Sequence, residues 1–244
     1  MSAASPGRML AAQTAMELRL TLRRGESLLL TLAIPLALLG FFSAVHVAGA
    51  GVGFLVPGIL ALAVMSTAFT GQAIATGYER AYGILRRLGA TPLSRPLLLS
   101  AKILGVVVVE LIQSVLVVAV GLALGWHPHG SFPLALGLLV LGTAAFSGLG
   151  LLLAGTLRAE ATLAAANGLY LVLLLLGGVL FPLGRLPGSV RAVADALPSG
   201  ALSSGIRAAM SPGGGVPVHD VVVLAVWAVV TLAVTARVFR WEPT

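Results

Sequence analysis

Residues 101–124 read AKILGVVVVELIQSVLVVAVGLAL, with one carboxylate, Glu110, near the middle and one ammonium, Lys102, at the edge. A bilayer core about 30 Å thick is crossed by a helix of about 20 mostly apolar residues. A surface helix of a soluble protein needs an apolar stripe on one side only, whereas this stretch is apolar nearly all round. Five further runs share its character: 28–48, 52–76, 132–156, 161–183 and 218–239. Pro35, Pro57, Gly71 and Gly105 fall inside these runs, where membrane helices tolerate them. The expected fold is all-α and polytopic, a single six-helix transmembrane domain over 28–244 with a separate N-terminal segment, 1–27.

Composition leads to the same class. Of 244 residues, 58% are hydrophobic and 9% charged, and the mean hydropathy is +1.05. About 25% charge is usual in soluble domains, so there are too few charges here to clothe a water-facing surface. The net charge of +7 sits in short clusters between apolar runs. That pattern reads as membrane topology and not as a nucleic-acid face. With no cysteine in the chain, disulfides, thiolate metal sites and cysteine nucleophiles are excluded. One lysine against fourteen arginines, amid abundant Ala, Gly and Val, points to a GC-rich bacterial genome.

Orientation follows from the basic residues. With the N-terminus inside, the inner segments hold Arg8, Arg19, Arg23, Arg24, Arg80, Arg86, Arg87, Arg95, Lys102, Arg158, Arg237 and Arg240. The outer segments hold Arg185, Arg191 and Arg207 alone. Twelve against three is a strong positive-inside bias, which predicts both termini in the cytoplasm of a bacterial inner membrane. Trp126 and Trp241 lie just beyond runs three and six, where interfacial anchors belong. The competing reading of the start is a cleaved secretory signal ending at Ala48-Gly49-Ala50. The apolar run is long for a signal, contains Pro35, and is followed at once by another.

Within 1–27, Ala11, Ala15, Leu18 and Leu22 share one helical stripe, and Gln13, Glu17, Thr21 and Arg24 share another. This predicts an amphipathic helix lying along the inner interface. The outer connection, 184–217, is half apolar and punctuated by Pro187, Pro198 and Pro212. It predicts two short re-entrant helices, near 188–196 and 199–210, folding back toward the membrane.

The inner connection after the second run carries ERAYGILRRLGATP at 79–92. Gly89 can end a short helix, and Thr91-Pro92 can cap and start the next. The expected product is a compact helical knob with Arg86 and Arg87 exposed. On spacing alone, an ordinary topogenic loop is the preferred reading. The string E-R-x-Y-G-x-L-R-R-L-G-A-T-P after a second span resembles the membrane subunits of ABC transporters of the type-2 exporter class, including bacterial drug-efflux permeases. The resemblance extends to the amphipathic start, the six spans and the Pro-punctuated outer segment.

It implies that Glu79, Arg80, Gly83, Arg86, Arg87, Leu88, Gly89, Ala90, Thr91 and Pro92 dock into a separate ATPase subunit. It further implies two ATPase copies, a second permease subunit (homodimer or heterodimer) and surrounding lipid. ATP and Mg would reside on the ATPase, and this chain would carry no cofactor and no catalytic residue. The sequence contains neither GxxxxGK[ST] nor HExxH.

Three polar residues remain inside runs. A charged Glu110 would cost about 3 kcal/mol at mid-bilayer, so it must face protein or water, or hold a proton. Gln113 lies one turn further on, and Asn167 lies in the fifth run. Each is a candidate for a translocation path; an interhelical hydrogen bond is the equal alternative for Glu110 and the preferred reading for Asn167. If Glu110 binds an ion or proton, the alternative function is an ion-coupled carrier or channel. A third possibility is an assembly factor without a transport path. His127-Pro128-His129 is compact, but such residues are commoner as interfacial groups than as metal ligands. Gly49-x-x-x-Gly53 and Gly121-x-x-x-Gly125 have helix-packing spacing, which 30 glycines would produce by chance.

Overall fold

The computed structural model describes residues 5–23, 25–45, 51–179, 181–185 and 187–240. Arg24, His46, the Ala48-Gly49-Ala50 stretch and Trp241 lie outside them. Every regular element among the described residues is helical. In chain order these are α1 (Pro6–Arg23), α2 (Gly25–Val45), α3 (Val52–Val64), a π-helical turn (Met65–Gly71), α4 (Gln72–Ala81) and α5 (Ile84–Gly89). Then follow α6 (Arg95–Ala123), α7 (Phe132–Thr156), α8 (Ala159–Leu176), a 3-10 turn (Leu183–Arg185), α9 (Gly188–Ala196), α10 (Pro198–Met210) and α11 (Val218–Val238).

Five helices are long and apolar enough to cross a membrane: Val52–Ala81, Arg95–Ala123, Phe132–Thr156, Ala159–Leu176 and Val218–Val238. The first expected run, 28–48, falls on α2, whose apolar portion Thr31–Val45 is too short to count with the five. The second run is longer than expected. It continues without a break through the π turn to Ala81, so Glu79 and Arg80 belong to the helix rather than to the loop. The fifth ends sooner, at Leu176 instead of 183, because Gly177 and Gly178 stop it and Gly178 takes a left-handed φ of 60°.

Val52–Ala81 is the central helix. Its apolar window is 72% buried, against 22–28% for α6, α8 and α11, whose outer faces are left to lipid. Its Val56, Met65 and Phe69 share one core cluster with Leu39, Phe146 and Leu202 of the neighbouring helices. Glycines set how closely helices approach. A Cβ on Gly150 would stand 2.7 Å from the Phe69 carbonyl oxygen, and one on Gly148 would stand 2.1 Å from Thr231 Oγ1. That proximity lets Thr235 Oγ1 donate to the Gly148 carbonyl at 3.0 Å and Thr231 Oγ1 to the Ala145 carbonyl at 3.3 Å. Small residues and interhelical hydrogen bonds are how helices associate where lipid removes the hydrophobic drive.

The 184–217 connection forms the two short helices that its prolines predict, α9 and α10. α10 is buried along most of its length against α3, α7 and α11. Arg207 fastens it: the guanidinium lies 3.7 Å from the Phe54 ring centre and donates to the carbonyls of Val179 (3.1 Å) and Phe54 (3.3 Å). One expectation changes here. Trp126 is not an exposed anchor but is buried, packed with Val56 around Gly121. Gly125 serves a turn and not helix packing, in keeping with the chance spacing: its φ of 86° turns the chain at the end of α6, a conformation that favours glycine.

The α7–α11 contact is open to test. Gly148→Val should push Thr231 and α11 outward, at a cost of about 1–3 kcal/mol for overpacking. Thermal unfolding of the purified protein in detergent should show a lower midpoint, whereas Gly137→Ala, with open space around it, should not. Equal midpoints for the two variants would mean that this interface is absent.

Candidate functional site

The end of the bundle that holds Lys102 gathers α1, α5 and the adjoining parts of α4, α6 and α7. Between α4 and α5, Gly83 adopts φ 71°, which lets the chain reverse within two residues. Leu85 is fully buried beside Leu98, Leu99, Leu151 and Phe239, and it anchors the short helix to the bundle. Arg86 and Arg87 point away from this anchor and are exposed. Leu88 does not share their exposure. It is half-buried against the same apolar cluster, so it belongs to the anchoring side of the knob. Tyr82 and Ile84, which the sequence reading left out, are exposed, Tyr82 at 70% and stacked on Tyr78.

Thr91 and Pro92 do not start the next helix. Thr91 Oγ1 donates back to the Leu88 carbonyl at 2.6 Å and so closes α5, after Gly89 has ended it. Ser94, extended at φ −76° and ψ 154°, is the residue before α6, and Pro96 sits in its first turn. Ala90, Thr91 and Pro92 are exposed on the knob's far side.

Glu79 and Arg80 are buried at 8% and 2% exposure, which removes their side chains from any docking surface. Arg80 donates to the carbonyls of Gly155 (2.9 Å) and Leu157 at the C-terminal end of α7, tying α4 to that turn. Glu79 accepts from Lys102 at 2.6 Å, and the same ammonium reaches Glu17 of α1 at 3.0 Å. Gln13 Nε2 donates to Glu17 at 2.9 Å. Gln13 and Glu17 of the polar stripe thus turn toward the protein, while Thr21 of that stripe and Met16, Leu20 and Leu22 are exposed. Gly105 admits this approach, since a Cβ there would lie 3.3 Å from Glu17 Cβ.

Above the Lys102 cluster is a cavity of about 150 Å³ between α1, α2, the central helix and α6. Glu17, Glu79, Lys102, Gln72, Thr76 and the π-turn residues Ser66 and Thr67 supply its polar wall. The path candidates do not converge there. Gln113 accepts from Thr67 at 3.0 Å and donates to the Thr31 carbonyl at 2.8 Å, stitching α6 to the π turn and α2. Glu110 faces α7, bonded to Thr143, which also reaches the Leu139 carbonyl. Asn167 is exposed on α8 and donates to its own helix, at Leu163. His127 and His129 are exposed on the turn after α6.

With this geometry established, likeness to known proteins is informative. Residues 10–211 match the family described as ABC-2 type transporter, from α1 through the end of α10. No curated protein matches the chain.

The Lys102 cluster yields a direct expectation. Lys102→Ala would leave two carboxylates facing each other without their cation. Breaking a buried pair in this way costs about 3–5 kcal/mol. Trypsin should then cut α1 at Arg19 and Arg23 much faster than in the wild type, and Lys102→Arg should restore protection in part. Unchanged cleavage of the alanine variant would show that α1 is held by other contacts.

Proposed function

The chain belongs to the ABC-2 type transporter family, and on that premise we propose that it is the permease subunit of an ATP-driven exporter. Members of this family are transport subunits, not catalytic by themselves, and normally work with an ABC ATPase. In our reading α2 completes a set of six spans, both termini face the cytoplasm of a bacterial inner membrane, and 184–217 faces outward. Two permease subunits flank the path and two ATPase subunits carry ATP and Mg beneath them. The cargo is drug-like, lipid or glycan.

The observation that carries this reading is the knob at 82–92. Arg86 and Arg87 are exposed on a short helix whose other side, Leu85, is sunk in the bundle. A topogenic loop needs the charges but not the anchor. A coupling element needs both, because force applied at the arginines must reach the membrane helices. Here that force would pass through the continuous helix from Ala81 back toward Val52 and, through Lys102, into α1 and α6. ATP binding would close the ATPase pair and carry the knobs with it, shutting the inner side and opening the outer. Such a shift requires the two states to bind ATP with different affinity. The ion-coupled alternative rests on Glu110, which bonds to Thr143 through one carboxylate oxygen, has no partner for the other among the described residues and does not line the cavity.

Replacing Arg86 and Arg87 together by alanine should leave folding intact, since exposed substitutions usually change stability by less than about 0.5 kcal/mol. Charge-assisted contacts contribute about 1.5–3 kcal/mol each, so ATPase co-purification should fall at least about tenfold. ATP-dependent transport should fall with it. If the double variant retains its ATPase and its transport at wild-type levels, the knob is only a topogenic loop.

A further inference from the structure

The cavity under α1 has features that docking of an ATPase does not use. Three charged groups line it: Glu17 and Glu79 share one ammonium, Lys102, which leaves one negative charge in excess. Gln72 lines it as well, only 6% exposed, and neither its Oε1 nor its Nε2 has a hydrogen-bond partner. The hydroxyl of Thr76, 1% exposed, is also without one. A buried polar group left unpaired costs about 1–3 kcal/mol, which a ligand offering both donors and acceptors would recover.

Leu20, Ala75, Val106 and Val109 add apolar surface to the same lining. The π turn builds part of the rest, and such turns are frequent at functional sites. The volume of about 150 Å³ is that of a cavity able to hold a benzene ring. It fits a head group or one ring, and not a whole amphiphile.

We propose that this cavity is a binding site for an organic ammonium group borne on an apolar body. The excess carboxylate attracts the cation, Gln72 and Thr76 bond its polar substituents, and the apolar surface takes the adjoining carbons. Phosphates and carboxylates would meet Glu17 and Glu79 and be repelled. An amine from solution and the ethanolamine head of a lipid share this chemistry. The site is internal to one chain and does not depend on the export reading.

Titration calorimetry on the full-length chain in dodecyl maltoside, with no ATP or ATPase present, tests it. Phenethylamine should bind at least about tenfold more tightly than phenylacetate or 2-phenylethanol. Gln72→Leu should weaken phenethylamine about tenfold, and Gln72→Glu should strengthen it. Should Gln72→Leu fail to fold, Thr76→Val is measured in its place, with several-fold weakening expected. Added phosphatidylethanolamine, but not phosphatidylglycerol, should compete if the lipid head is the natural source. Competition by neither lipid assigns the site to a soluble amine. Equal binding of the amine and phenylacetate, or folded variants that bind as well as the wild type, would overturn the proposal.

Discussion

Lys102 is the single lysine of the chain, and two carboxylates from different elements close on it. Glu79 reaches it from the central helix and Glu17 from α1, while Lys102 itself stands in the first turns of α6. A lone charge at this depth would be expelled toward water, because desolvation outweighs what one weak partner returns. With two partners the three elements are pinned together at one point. The position of α5 depends on that point, since the knob hangs from the end of the same helix that carries Glu79. Arg80 adds the second restraint, holding α4 to the C-terminal end of α7 through backbone carbonyls.

The membrane part is organised on a different principle. Little separates the apolarity of a leucine from that of a lipid tail, so close fit and hydrogen bonds decide which helices touch. The central helix is buried because glycines on its neighbours let it in, Gly150 against Phe69 and Gly121 against Val56. α10, though only thirteen residues long, is the more enclosed of the two helices in 184–217. Its Arg207 satisfies carbonyls from α3 and from Val179, just beyond the glycine pair that stops α8. A cation beside the central helix on the side away from Lys102 thus mirrors the Lys102 pin, using carbonyls and a ring where that one uses carboxylates.

Much of this was legible in the sequence. Apolar run lengths located all five of the long helices, and the prolines of 184–217 placed α9 and α10 almost to the residue. Gly89 marked the end of α5. What the sequence could not reveal was direction. Glu79 and Arg80 enter the docking set through the resemblance, yet their charge is spent on Lys102 and on carbonyls at the end of α7, far off in the chain. In α1, Gln13 and Glu17 would face water by amphipathicity alone, but Glu17 reaches Lys102 and Gln13 bonds to Glu17. Thr91 was assigned to the helix ahead of it and in fact closes the one behind, a choice set by which carbonyl its hydroxyl reaches. Gln72 carried no signal, since its significance lies in having no partner, and a sequence does not record that.

The central claim is that the knob meets an ATPase on the inner side of the membrane. A photo-crosslinking amino acid at position 90, introduced in intact cells, addresses it directly, with the same probe at position 213 as reference. The account predicts that position 90 captures a polypeptide bearing a GxxxxGK[ST] phosphate loop, identified by mass spectrometry, and that position 213 captures none. Capture of that polypeptide at position 213, or of no nucleotide-binding subunit at position 90, would contradict it.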